Sequence, residues 1–206
     1  MVKIHYFFDP MCGWCFGSTA LIKAIKQQGI ELELHPGGMI ERRPMEAGFR
    51  QVVVSYDERI QVLTGQQFGT FYKARIASNE TIILDSFLTA KAIMTAQALI
   101  GKGVEMLEKI QQAYYQQGLD VSDNNIIEQL ALTIGIEQLV WQKQMQVNNN
   151  QIDHIIDENR QLMSNYQLNG FPSLLLEKED GTMQTIPHSQ FYGDLNKWYQ
   201  WLKKYN

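Results

Sequence analysis

The sequence predicts an α/β protein interrupted by a long all-helical insertion, and three observations predict it. Residues 1–38 read as strand, helix and strand; residues 39–165 show helical periodicity without a convincing strand; residues 166–206 return to a strand, a hairpin and a closing helix. A helix joining two strands makes them parallel neighbours by default, because the crossover brings the chain back to the same end of the sheet. The α/β unit is therefore discontinuous, 1–38 with 166–206, and the helical unit, 39–165, is inserted between its halves.

Val2 to Phe8 is apolar enough for a central strand, with Ile4, Tyr6 and Phe8 alternating against Lys3, His5 and Phe7. A helical pattern starts as Cys12 and Cys15 pass, carries Leu21, Ala24 and Ile25 on one face, and stops at Gly29. Ile30, Leu32 and Leu34 then alternate with Glu31, Glu33 and His35 up to Pro36-Gly37-Gly38. Arg42-Arg43-Pro44 reads as a loop opening the insertion, and Tyr56 to Ala77 as one aromatic helix despite Gly65 and Gly69. Further helices are expected over Asp85–Leu99, over Glu105–Gln117, after an N-cap at Ser122, over Glu137–Val147, and along Ile152, Ile155, Ile156 and Met163. Strand pattern resumes at Ser173 to Lys178, where Leu174, Leu175 and Leu176 in succession imply burial on both faces. Asp180-Gly181 marks a hairpin to Thr182–Ile186, and Leu195, Trp198, Tyr199 and Leu202 define a final amphipathic helix.

At 206 residues, 45% hydrophobic and 19% charged, the chain has the composition of a globular protein with a sizeable core. A net charge of -4 and the lack of a Lys/Arg-rich run speak against a nucleic-acid partner or an anionic membrane surface. No apolar stretch approaches the roughly 20 residues that span a bilayer. Strand pattern begins directly after Met1 with no signal-peptide pattern, so the expected location is cytoplasmic.

The chemistry centres on Cys12-Gly13-Trp14-Cys15. A cysteine pair placed after a strand and a tight turn, at the start of a helix, is a redox arrangement. The free N–H groups and the dipole of the helix N-terminus favour thiolate over thiol at Cys12, and thiolate is the form that attacks disulfides. Cys15 lies three residues on, on nearly the same helical face, placed to resolve the mixed disulfide. A zinc knuckle would need two more ligands, but the chain has no third cysteine and its four histidines, His5, His35, His154 and His188, stand singly. No metal is expected at the cysteines. A purely structural disulfide would close only a tiny loop and gain little.

Asn169-Gly170-Phe171-Pro172 stands just before the strand of leucines, where a proline removes a ladder donor. A cis peptide there would leave the Phe171 backbone free to pair with an extended substrate; a trans proline at a strand start is the alternative, and the motif alone does not choose.

Together these features resemble the thioredoxin superfamily, and within it the DsbA-like family, whose members carry a helical domain inserted into the thioredoxin fold. Asp9-Pro10-Met11-Cys12-Gly13-Trp14-Cys15 resembles the active-site segment of the cytoplasmic, FrnE-like branch. Gly37-Gly38-Met39, Gln112-Ala113-Tyr114-Tyr115 and Gly170-Phe171-Pro172-Ser173 are similar to further segments of that branch. The resemblance implies a thioredoxin-like fold, a cis Pro172 set against the two sulfurs, and a thiol-disulfide oxidoreductase acting on protein or peptide disulfides. Cys12, Cys15 and Pro172 are then the catalytic positions, and Met11, Gly13, Trp14 and Phe171 the substrate-binding ones. Phe16 and Met39 are shared between rim and core; Asp9 is a capping or loop residue before it is a proton carrier for Cys15; Tyr114 and Tyr115 pack the insertion; His188 is expected at the surface. No bound cofactor is implied, and glutathione or another thiol is the candidate electron partner. Periplasmic oxidases of the DsbA type place a histidine between the cysteines, whereas Gly13 and Trp14 supply no such charge, which argues for a poise nearer a reductase or isomerase. Two rivals remain: a holdase chaperone or peptide-binding protein with a redox-sensing dithiol, and a glutathione-dependent enzyme of the kappa-class transferase type, against which the intact cysteine pair argues.

Overall fold

The computed structural model describes residues 2–147 and 151–205. Met1, read above as standing directly before the first strand, and Asn206, the last residue of the second α/β segment, lie outside the described residues.

Along the chain the elements are β1 (Lys3–Phe8), α1 (Gly13–Gly17), α2 (Thr19–Gln27), β2 (Glu31–Pro36), β3 (Arg43–Pro44), α3 (Ala47–Thr64), α4 (Thr70–Ala77) and β4 (Ile83–Leu84). They continue with α5 (Ser86–Ile100), α6 (Gly103–Tyr115), α7 (Asn124–Thr133), α8 (Gln138–Val147), α9 (Gln151–Asn165), β5 (Ser173–Glu177), β6 (Met183–Thr185), a 3-10 turn (His188–Phe191) and α10 (Leu195–Leu202). The main sheet has the order β2-β1-β5-β6. β1 runs parallel to β2 and antiparallel to β5, and β6 returns antiparallel to β5.

The alternation of β1 sorts the core. Ile4, Tyr6 and Phe8 join Leu174, Leu176, Phe16, Ile25 and Trp198 in the main cluster, while Phe7 packs with Leu175 and Met163 on the other face. The three leucines of β5 thus serve both faces, each at most 1% exposed, and burying a side chain of this size contributes about 1.5–3 kcal/mol. Trp198, fully buried, also donates its indole N–H to the Leu21 carbonyl at 2.9 Å, fastening α10 to α2.

Several local expectations are corrected. The helix expected over Tyr56–Ala77 is two helices: α3 begins earlier, at Ala47, and ends at Thr64 with Gly65 at φ 75°. Gly69 then passes so close to α6 that a Cβ would stand 1.9 Å from the Gln116 carbonyl oxygen. Arg43 and Pro44 are a short strand rather than a loop, paired with Leu84 and Ile83; two residues are too few to show alternation. The cap of α7 is Asp123, which accepts from the Asn125 N–H, while the Ser122 hydroxyl is turned to Asp120. The helix after the cysteines is divided at Ser18 into α1 and α2.

Candidate active site

Cys12 is the N-cap residue of α1, and Cys15 lies one turn inside it. Both are free thiols and both are largely covered, but unequally: Cys12 is 8% exposed and lines a cavity, whereas Cys15 is 1% exposed and does not. The Cys12 thiol donates to the Phe171 carbonyl at 3.4 Å, and the Cys15 sulfur accepts the Asp9 backbone N–H at 3.5 Å. Burial pushes the Cys15 thiol well above its ordinary range, and the neighbouring Cys12 sulfur adds to the shift.

The Phe171–Pro172 peptide is cis. Phe171 lies against Gly37, where a Cβ would stand 1.9 Å from the ring, so a bare backbone at position 37 is what admits it. Arg160 of α9 holds this loop by donating to the carbonyls of Gly37, at 3.0 Å, and Gly38, at 2.6 Å. Beside the sulfurs, Gly13 and Gly17 admit Ile60 of α3: a Cβ at Gly17 would stand 2.7 Å from its methyl group. The glycine of the cysteine motif thus lets the helical insertion close over the helix that carries the thiols.

The fully buried Asp9 ties the site together. Its Oδ1 accepts the Met11 N–H at 2.9 Å and the Ser86 hydroxyl at 2.7 Å, and its Oδ2 accepts the Met39 N–H at 2.6 Å. Three separate segments meet on one carboxylate. Burial nevertheless raises its pKa, with the Ser86 and Met39 bonds opposing the shift. These bonds make it a loop organiser, the role expected ahead of proton carrier.

The cavity beside Cys12, about 360 Å³, is lined by Met11, Gly13 and Trp14 around the cysteine motif and by Met45, Phe49, Val53, Tyr56, Ile60, Tyr114 and Tyr115 from the insertion. A larger hollow of about 780 Å³, lined by Arg42, Asp85, Lys91 and Arg160 among others, includes neither cysteine. A sequence model of the DsbA-like thioredoxin domain matches residues 3–194.

The chain belongs to the DsbA-like thioredoxin family.

It is a thiol-disulfide oxidoreductase by that membership and by its structural neighbours. The cytosolic disulfide reductase DsbM from Pseudomonas aeruginosa superposes with a TM-score of 0.90 at 29% identity, covering 98% of this chain and 97% of that one. The same protein with GSH gives 0.89 at 29% identity, with 98% of each chain covered. A putative protein disulfide isomerase from Nitrosomonas europaea, 22% identical over 97% of this chain and 98% of that one, shares the fold at a TM-score of 0.76. No curated protein sequence matches significantly. No helix among the described residues is long and apolar enough to cross a membrane.

Of the positions this DsbA-like sequence singled out, the structure brings Met11, Cys12, Gly13, Trp14 and Met39 to one cavity, with Phe171 reaching Cys12 through its carbonyl. Trp14 stacks on Tyr192 at 6.0 Å, and the Arg59 guanidinium lies 5.9 Å from its ring. Phe16 is core, 1% exposed and stacked on Tyr115, whereas Met39 is rim, 44% exposed. Tyr114 and Tyr115 pack the insertion as expected and also line the cavity.

The sequence reading passed over one carboxylate and misplaced one histidine. Asp57 of α3, 7% exposed, lines the Cys12 cavity and accepts the Tyr72 hydroxyl at 2.8 Å; burial lifts its pKa to about 7 against the opposing effect of that bond. Nothing in Val52–Glu58 separates it from a surface carboxylate. His188 is not at the surface but half-buried: its Nε2–H donates to the Pro172 carbonyl at 3.0 Å, and burial lowers its pKa. The hairpin register contained the signal, since Leu175 opposite Thr185 and Leu174 bonded to Ile186 extend to Pro172 opposite His188.

Proposed function

We propose that this DsbA-like protein reduces or isomerises disulfides of protein and peptide substrates through a mixed disulfide on Cys12. The observation that carries the reading is the inequality of the two sulfurs: Cys12 alone faces the cavity and the Phe171 backbone, while Cys15 is sealed beneath it with a raised pKa. The Cys12 thiolate attacks one sulfur of a substrate disulfide, and the other sulfur leaves as a thiolate. Cys15 then gives up its proton and attacks the Cys12 sulfur, which closes the Cys12–Cys15 disulfide and frees the second substrate thiol. Two electrons have passed from the dithiol to the substrate. Thiols of the glutathione class return them by the same exchange; the likeness to a cytosolic reductase also solved with GSH supports this electron partner and a cytoplasmic location.

Pro172 and Phe171 form the backbone edge against which substrate lies, and Met11, Gly13 and Trp14 form the rim on the thiol side. Residues 1–38 with 166–206 act as the catalytic unit and 39–165 as its cover. The exposed apolar side chains of α3, Phe49 at 42%, Val52 at 45%, Tyr56 at 51% and Val62 at 83%, favour an unfolded or extended polypeptide over a small thiol alone. The same surface supports the second reading, a holdase with a redox-sensing dithiol. Cys15→Ala tests the first: it stalls at the mixed disulfide and should trap substrate chains on Cys12 that Cys12→Ser does not. If Cys12→Ser leaves activity intact and removes only its redox dependence, the holdase reading holds.

A further inference from the structure

The histidines that stand singly in the sequence do not stand singly in the sheet. The β1–β2 register sets His5 opposite Glu33 and Phe7 opposite His35, which makes His5, Glu33 and His35 neighbours on the face covered by α9. Their ligand atoms all lie within 4.8 Å of one another.

The outer nitrogen of each ring has its partner fixed. Glu177 Oε2 lies 3.0 Å from His5 Nε2, and a carboxylate there accepts a proton from the ring. Asn159 donates its Nδ2 to the Pro36 carbonyl at 2.9 Å, so its Oδ1, 2.8 Å from His35 Nδ1, must accept. A neutral imidazole has one N–H, and both rings have now spent theirs outward. The inner nitrogens, His5 Nδ1 and His35 Nε2, face each other at 2.9 Å with two lone pairs. Such an arrangement calls for a cation in the gap. Glu33 straddles it, with Oε1 3.6 Å from His35 Nε2 and Oε2 3.8 Å from His5 Nδ1.

We propose that His5, His35 and Glu33 form a binding site for a divalent transition metal of the zinc class. Two imidazoles and a carboxylate are a common three-ligand set for Zn²⁺, with the fourth position left to water. At bond lengths of about 2.0–2.1 Å, tetrahedral ligand atoms stand about 3.3 Å apart. The two nitrogens therefore part by about 0.4 Å, while a single Glu33 oxygen, now within 4.8 Å of both nitrogens, swings inward by up to about 1.5 Å. The site has its outer shell built: a carboxylate on the far nitrogen of one ring and an amide oxygen on that of the other, which orient ligating histidines and fix their tautomers. Glu33 is on the solvent side, 44% exposed, which supplies an entry path. Lys3, 2.9 Å from Glu33 and 3.2 Å from Glu31, passes to Glu31 as Glu33 turns inward. The site uses neither cysteine.

The test keeps the thiols out of the measurement. Protein carrying Cys12→Ser and Cys15→Ser is titrated with zinc ion against a chromogenic chelator, with the oxidised wild-type chain in parallel. One equivalent should bind to each. His5→Ala should abolish that uptake, Glu33→Gln should weaken it at least tenfold, and Glu177→Gln should weaken it by about 10–100-fold as an outer-shell change. Glu33→Gln, at an exposed position, keeps the result readable if His5→Ala does not fold. Absence of stoichiometric uptake, or uptake indifferent to Glu33→Gln and to the histidine substitution, would overturn the proposal and leave a proton in the gap.

Discussion

Asp57→Asn isolates the cost of holding a carboxyl group in the wall of the thiol cavity. Burial lifts Asp57 from the ordinary 3.8 to about 7. Between about pH 4 and 7 the folded chain keeps a proton there that the unfolded chain has released, so raising the pH pulls the equilibrium toward unfolding. The shift is about three pKa units, and at about 1.4 kcal/mol per unit the penalty reaches at most about 4 kcal/mol above pH 7. Asparagine carries no titration and retains an oxygen for the Tyr72 hydroxyl, now 2.8 Å from the carboxylate. In urea unfolding of the reduced protein, wild type and variant should agree near pH 4 to within about 1 kcal/mol, the scale of one hydrogen bond. The variant should become progressively more stable as the pH passes 5, 6 and 7. Parallel stability curves across that range would refute the assignment of a buried, largely protonated Asp57.

Gly37→Ala places a methyl group 1.9 Å from the Phe171 ring. Displacing that ring should cost about 1–3 kcal/mol as overpacking, lower Tm by about 2–4 °C per kcal/mol, and slow exchange at Cys12, whose thiol contacts the Phe171 carbonyl; unchanged thermal unfolding would count against the close approach. Asp9→Asn replaces one of three acceptor contacts with a donor and should destabilise by about 1–3 kcal/mol in urea, with slower disulfide reduction as the 37–39 and active-site loops separate; full stability would show that the three-way tie is dispensable. Trp14→Ala removes a ring that stacks on Tyr192 and lies 5.9 Å from the Arg59 guanidinium, and should reduce kcat/KM toward peptide disulfides about tenfold, equivalent to about 1.4 kcal/mol, while the Cys12–Cys15 redox equilibrium with glutathione moves less.

Burial lowers the pKa of His188 and so makes a contribution of opposite sign from that of Asp57. Its neutral form is favoured in the fold, so this stability is present above the ordinary pKa of 6.5 and is lost as the pH falls below it. A His188→Gln variant should flatten that acid limb in the same urea series while its amide preserves a donor toward the Pro172 carbonyl.

By itself the sequence determined whatever depends on near neighbours. Alternation in Val2–Phe8 and Ile30–His35, the Asp180-Gly181 turn and the three-and-four spacing of the last helix were legible because strand and helix periods repeat over a few residues. The cysteine pair was legible because Cys12 and Cys15 share one helical turn. Tertiary structure decided what depends on which segments meet. Gly69, at the start of α4, is bare because Gln116 passes over it, and Gly37 is bare because Phe171, far along the chain, lies upon it. Asp57 looks like any solvated carboxylate until α3 closes over the cavity, and burial then sets its charge. His5 and His35 are isolated in sequence because a βαβ crossover separates them, and strand register brings one nitrogen of each ring to within 2.9 Å of the other. Periodicity tells a residue which face it occupies, but the burial and partners that govern its chemistry come from chain that is distant in sequence.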